Sequence, residues 1–232
     1  MPKPEDLRWY KRDSRLYFAF GFHPKNARHG SEKALQQMKS LIEKEPRCVA
    51  IGEVGIKLTA GHKALIEYQT KVLKAVLQFY KEKKLWSKVL VLHCRDYRST
   101  DAQALCMVTL KNILKEDVVH AKIHWHCFNG SLREMEKWQE TFPQLKFGFT
   151  GLLLRPERHG ELDKIVRRLP LESILLETDS PYLLAPEHQG FRYNTPYGIA
   201  AVAQRVADLK SLSVRRVLRT TTTTAKRFYN LS

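Results

Sequence analysis

Five short strings carry side chains able to do chemistry, and each stands where an apolar run ends. They are Gly21-Phe22-His23-Pro24, Ile51-Gly52-Glu53-Val54-Gly55, Leu92-His93-Cys94-Arg95, His124-Trp125-His126-Cys127-Phe128 and Glu177-Thr178-Asp179-Ser180-Pro181. Alternate residues of a strand share a face. Glu53 is therefore expected beside Val49 and Ile51, His93 beside Val89 and Val91, and Asp179 beside Leu175 and Glu177. A carboxylate set in an apolar strand is costly unless something pairs it. Taken singly, each of these residues reads as a satisfied polar group of the core. Taken together, Glu53, His93, His126 and Asp179 at equivalent strand ends suit a divalent cation, zinc, manganese or magnesium. Such an ion polarises a phosphoryl oxygen and lowers the pKa of bound water, and in a basic protein that chemistry points to phosphodiester hydrolysis.

The elements that must hold these groups alternate regularly. Six runs read as strands: Tyr17–Phe22, Val49–Ile56, Lys88–Cys94, Lys122–Phe128, Leu145–Thr150 and Ser173–Thr178. Each is β-branched, aromatic or continuously apolar, as strands buried on both faces should be. Between them, helical periodicity covers Ser31–Glu45, Lys63–Lys83, Thr100–Lys115, Ser131–Thr141 and Glu157–Arg168, and Pro196–Leu209 and Val214–Tyr229 close the chain. The threonine run Thr220–Thr224 is expected to open the last helical segment. No low-complexity linker divides the chain, so residues 1–232 are expected to form a single domain. Strand–helix units of this length imply an α/β fold with parallel strands and right-handed crossovers. An open doubly wound sheet and a closed (β/α)8 barrel both fit that order. The absence of a glycine-rich fingerprint after the first strand and the scatter of polar residues over many strand ends favour the barrel.

Composition limits the function classes. Of 232 residues, 43% are hydrophobic and 28% charged, which excludes extensive disorder. Forty Lys and Arg against 24 Asp and Glu leave a net charge of +16. That excess suits a polyanionic partner, nucleic acid foremost, or else a solvated surface kept soluble by charge. The sequence has no apolar run long enough to span a bilayer and no signal-peptide core at its start, so no membrane partner is expected. Cys48, Cys94, Cys106 and Cys127 have no CxxC spacing and read as reduced thiols, with an intracellular location, cytoplasmic or nuclear.

The ordered set GFHP, GEVG, LHCR, HCFNGS, GFTG and ETDSPYL resembles the TatD family of metal-dependent deoxyribonucleases in the amidohydrolase superfamily, and it is most similar to the eukaryotic TatD-domain-containing type. The likeness runs from about Tyr17 to the closing Thr-Thr-Ala-Lys-Arg-Phe segment. It implies a TIM barrel with one or two divalent metals, Mg, Mn or Zn, at its mouth. Glu53 resembles the carboxylate that bridges both metals, and His93 and His126 resemble ligands of one of them. Asp179 resembles the acid that binds the other metal and orients or deprotonates the attacking water, so Glu53 and Asp179 are the catalytic candidates. His23 is placed for substrate contact. Arg95 is placed either to fork onto a phosphate or to make a loop salt bridge. Tyr182 and the loop Phe191-Arg192-Tyr193-Asn194 would overhang the mouth, where Tyr182 and Arg192 suit base stacking and phosphate contact as well as ordinary loop packing. His124, two residues deeper than His126, reads as a buried supporting histidine, and Cys94 and Cys127 read as packing residues.

The sequence departs from the family in two places. The family opens with a strand bearing a His-x-His pair that completes the first metal site, and this chain starts after it. The barrel is therefore expected to be incomplete, lacking strands 1 and 2 and their helix (the N-terminal βαβ portion), as in a truncated record of a longer enzyme. Lys57 stands where the family has an acid, giving either added phosphate affinity or lost support for the metal. The leading reading is a metal-dependent nuclease acting on DNA, with RNA also in scope, from an exposed end. The alternatives are a catalytically impaired nucleic-acid-binding remnant and a small-molecule amidohydrolase. The metal, the choice between DNA and RNA, the polarity and the oligomeric state are left open.

Overall fold

The computed structural model describes residues 12–58, 65–96, 101–185 and 192–231, which fall into two compact units, Met1–Lys122 and Ile123–Ser232. The first unit has three parallel strands, β1 (Phe18–Phe20), β2 (Cys48–Lys57) and β3 (Val89–Arg95), paired in that order. They alternate with helices α1 (Glu32–Lys44), α2 (Ile66–Glu82) and α3 (Asp101–Leu114). Ser31 caps α1 by accepting from the Ala34 N–H, and Leu35, Met38 and Ile42 bury one stripe of it. In α2, Val72, Leu73, Val76, Leu77 and Tyr80 are buried. The expected helix starts at Lys63 and Thr100 lie outside the described residues.

The second unit repeats the scheme with parallel strands β4 (Ile123–Trp125), β5 (Leu145–Phe149) and β6 (Ile174–Leu176), again paired in order. Its helices are α4 (Leu132–Thr141), α5 (His159–Arg168), α6 (Ile199–Lys210) and α7 (Val214–Tyr229). The core is aromatic: the Trp125 ring lies 4.6 Å from Trp138 and 4.8 Å from Phe128, centroid to centroid. A capping box of Ser131 and Glu134 starts α4. The threonine run lies inside α7 rather than at its start. The run is accommodated because Thr221 is buried and its hydroxyl donates to the Val217 carbonyl one turn back, at 2.9 Å. Among the described residues no helix is long and apolar enough to cross a membrane.

Strand ends are where expectation and structure differ. β4 stops at Trp125, so His126, Cys127 and Phe128 lie on a turn in which Cys127 has φ +47°. β6 likewise stops at Leu176, before Glu177, Thr178 and Asp179. In β2, strict alternation fails at Glu53. The register with β3 slips between Gly52 and Val54, leaving one extra residue that turns its side chain away from the ladder. Flanking glycines permit this bulge. Gly52 has φ +155° and Gly55 φ +151°, and a Cβ on Gly52 would stand 2.6 Å from the Val91 carbonyl oxygen. Substituting Ala at Gly55 is expected to cost about 1–3 kcal/mol from backbone strain alone, read by denaturant unfolding, and to disturb the contact that Glu53 makes next to it.

Candidate functional site

Each unit gathers polar side chains at the carboxyl ends of its strands. In the first unit the bulge turns Glu53 onto His93 of β3, with Glu53 Oε2 and His93 Nδ1 2.9 Å apart. His93 is buried, and Glu53 is about one-third exposed. An ionised carboxylate can only accept, so His93 donates through Nδ1–H and its lone pair resides on Nε2. His23 joins them: its Nε2 lies 3.9 Å from Glu53 Oε2 and its ring centroid 4.5 Å from that of His93. His23 also caps the short helical turn Pro24–His29, with Nδ1 accepting from the Lys25 N–H at 3.1 Å. Burial, followed by the neighbouring His93, pushes its pKa down to about 4 against the pull of Glu53. His23 is therefore neutral at pH 7, with its proton on Nε2, the nitrogen that faces Glu53.

Lys57 ends β2 in this same cluster. Its backbone is clamped by Gln69 of α2, whose Oε1 accepts from the Lys57 N–H at 2.7 Å while Nε2 donates to the Lys57 carbonyl at 3.2 Å. The side chain is buried. Burial first, then the charges of Lys25 and Arg95, push its pKa down to about 8, with Glu53 pulling the other way.

In the second unit a buried hydrogen-bonded chain runs from the last helix to the strand ends. The Tyr229 hydroxyl lies 2.5 Å from His124 Nδ1, and His124 Nε2 lies 2.9 Å from Glu177 Oε1. Glu177 Oε2 meets His126 Nδ1, and the Cys127 N–H donates to Glu177 Oε1 at 3.1 Å. Burial opposes ionisation of Glu177, yet the charges and hydrogen bonds of His124 and His126 hold its carboxyl well below the usual carboxylate range. Burial also keeps the Tyr229 phenol protonated. When both imidazoles are neutral, the hydrogen bonds place their protons: Tyr229 donates to His124 Nδ1, and His124 Nε2–H and His126 Nδ1–H donate to Glu177. His126 Nε2 is then left with its lone pair 3.5 Å from Asp179 Oδ1. Two lone-pair donors so close repel unless a cation lies between them.

The donor chemistry of both clusters therefore fits a divalent cation. The ligand atoms of His23, Glu53 and His93 lie within 4.8 Å of one another. Of these, Glu53 and His93 offer lone pairs, whereas the cap on Nδ1 leaves His23 an N–H to give. His126 and Asp179 are the corresponding donors in the second unit. Zinc, manganese and magnesium all accept such nitrogen and oxygen sets.

The remaining expected residues are placed as follows. Arg95 ends β3, abreast of Lys57 in the strand register. Tyr182 is 69% exposed, and its N–H donates to the Asp179 carbonyl at 2.8 Å. Arg192 is exposed, its guanidinium 5.3 Å from the centre of the Tyr193 ring, and Phe191 lies outside the described residues. Cys94 and Cys127 are buried and in no disulfide. Two important groups carried little sequence signal. Glu177 shares a face with Asp179 but looked like a core residue, and Tyr229 is 105 positions from its partner His124. A third is Asn194, buried, whose Nδ2 donates to the carbonyls of Thr178 and Tyr182, both at 2.8 Å.

Comparisons with known proteins identify the family that the chain resembles. A family model described as TatD related DNase matches residues 5–230. The human 3'-5' RNA nuclease TATDN2 is 31% identical over 215 residues, covering 88% of this chain and 26% of that protein. The 3'-5' ssDNA/RNA exonuclease TatD of Erwinia tasmaniensis is 29% identical, covering 91% of this chain and 77% of its own length. The crystal structure of YJJV, a TatD homologue from Escherichia coli, superposes with a TM-score of 0.78 at 24% identity, covering 98% of this chain and 82% of that one. That superposition shows a shared α/β fold, parallel strands alternating with helices. The chain thus spans about a quarter of the human relative and most of the bacterial ones.

Removing Glu177 should leave two buried imidazoles without their acceptor. Glu177→Ala is expected to cost about 3–5 kcal/mol in denaturant unfolding, Glu177→Gln less, and Tyr229→Phe about 1 kcal/mol. Lys57 gives a pH signature. Its folded pKa lies below its unfolded value, so the charged form destabilises the fold, fully below about pH 8 and progressively less up to the unfolded pKa. Thermal melts in phosphate-free buffer should show Lys57→Met above the native chain at pH 7, with the gap closing as pH rises past 8.

Proposed function

The chain belongs to the TatD-related DNase family, and from that membership we propose that it is a metal-dependent nuclease hydrolysing phosphodiester bonds of DNA and RNA from a strand end. The observation that carries this reading is the pair of ready-made lone-pair sites, Glu53 with His93 and His126 with Asp179, each held by a second group that takes the wrong proton away. The net charge of +16 supports a polyanionic substrate. Two relatives bear nuclease names, one for RNA and one for single-stranded DNA and RNA. Four buried thiols in no disulfide favour a reducing compartment, cytoplasm or nucleus.

In this mechanism Glu53, His93, His126 and Asp179 would hold the divalent metal. A bound cation supplies phosphoryl polarisation and a water of lowered pKa. Asp179 orients the attacking water and takes its proton on the carboxylate. His23 donates its Nε2–H to a phosphate oxygen, a role its neutral form at pH 7 sustains. Arg95 forks onto a phosphate, while the exposed Tyr182 and Arg192 offer a stacking ring and a second guanidinium to unpaired bases.

Digestion of end-labelled single-stranded DNA and RNA tests the reading. Cleavage is expected with magnesium or manganese and to stop with chelator. Asp179→Asn should lower kcat by about 10²–10⁴-fold, the usual worth of a positioned general base, and Glu53→Ala should abolish cleavage. Chelator-insensitive binding without any cleavage would instead identify a nucleic-acid-binding remnant, and hydrolysis of a neutral amide but never a polynucleotide would identify a small-molecule amidohydrolase.

A further inference from the structure

The first unit holds two lysines, Lys57 and Lys25, to which the mechanism above gives no part, gathered with Arg95. Lys57 and Arg95 are register partners at the carboxyl ends of β2 and β3, so two cations stand abreast on one face of a parallel pair. Like charges directly opposite one another are destabilising in a sheet. The strain is sharper because Lys57 is only 8% exposed, and a desolvated ammonium needs a counter-charge. Among the described residues Lys57 forms no ion pair with a carboxylate, Glu53 acting on it only from a distance. Lys25, on the turn that His23 caps, adds a third cation beside Lys57. The cluster is also built rather than loose, since Gln69 bonds both the N–H and the carbonyl of Lys57. Three cations gathered next to Glu53 and His93, one of them buried without a partner anion, describe a place that is complete only when an anion occupies it.

We propose that Lys57, Arg95 and Lys25 form a phosphate-binding subsite beside Glu53 and His93 that takes a second phosphate of the strand being hydrolysed. The proposal rests on the nuclease reading for the identity of its ligand and deepens it by assigning a specificity element. The phosphate belongs either to a strand end, as a monoester, or to the backbone, as the neighbouring diester. Lys57 contributes a point charge already fixed in position, and Arg95 a planar fork able to grip two oxygens.

Steady-state kinetics of the full chain with manganese on a short single-stranded DNA, with and without a terminal phosphate, test this. Lys57→Gln is expected to raise KM about tenfold, more than it lowers kcat. It should also flatten the slope of log KM against log salt by about 0.7, one lost phosphate contact on a single strand. Lys25→Gln, at an exposed position, should shift KM the same way and carries the test if Lys57→Gln fails to fold. Lys33→Gln, an exposed lysine of α1, should leave KM within about twofold and so controls for bulk charge. A rise confined to the phosphate-ended strand identifies the monoester, and an equal rise on both identifies the diester. Native KM and salt slope in both Lys57→Gln and Lys25→Gln would overturn the subsite. Should the native chain cleave no polynucleotide, the nuclease reading fails separately. Fluorescence anisotropy of the same strand in chelator then judges the subsite: weaker binding by Lys57→Gln supports it, and equal binding refutes it.

Discussion

A histidine that gives its Nδ1 proton to a glutamate is the interaction on which the chemistry of this protein turns. It occurs twice, once in each unit: His93 with Glu53, and His126 with Glu177. In both, the carboxylate decides which nitrogen keeps the proton and so places the lone pair on Nε2. Everything else in the two clusters serves that choice. The bulge at Glu53 exists to bring a strand carboxylate within reach of the next strand, and the glycines on either side exist to permit the bulge. Glu177 reaches two imidazoles because β4 and β6 both end early and release their last residues from the ladder.

The electrostatics of the two clusters differ in a way that follows from their neighbours. Around Glu177 the negative charge is buried and shared among two imidazoles and a backbone N–H. Around Glu53 the balance tips positive, with Lys25, Lys57 and Arg95 crowding one half-exposed carboxylate. A strongly basic chain draws polyanions to its whole surface, but only a desolvated cation discriminates among the phosphates that arrive. The first cluster thus has the means to recognise substrate as well as to help cleave it.

Much of this was legible in the sequence. Four of the six strands fall within the expected runs, and β2 (Cys48–Lys57) and β3 (Val89–Arg95) overrun theirs by a residue at one or both ends, because strands buried on both faces betray themselves by unbroken apolar character. The ligand candidates were legible because polar residues at strand ends stand out against that background. What escaped had no local pattern. Alternation misplaced Glu53, since a bulge breaks the period of two while leaving composition untouched. Glu177 was visible on the same face as Asp179, but only its contacts distinguish an acceptor for two imidazoles from a core residue. Tyr229 and Asn194 act across long stretches of chain, and no periodicity relates them to their partners. The threonine run was misjudged because β-branched residues are poor helix formers in isolation, whereas here a buried hydroxyl returns its bond to the helix.

Asn194 has one last consequence. Its amide ties the carbonyls of Thr178 and Tyr182, on either side of Asp179, while its neighbours Arg192 and Tyr193 reach into solvent. Exposed residues of the outer loop are thereby stitched to the segment that carries Asp179. Any remodelling of that outer loop must preserve the knot or shift Asp179 with it.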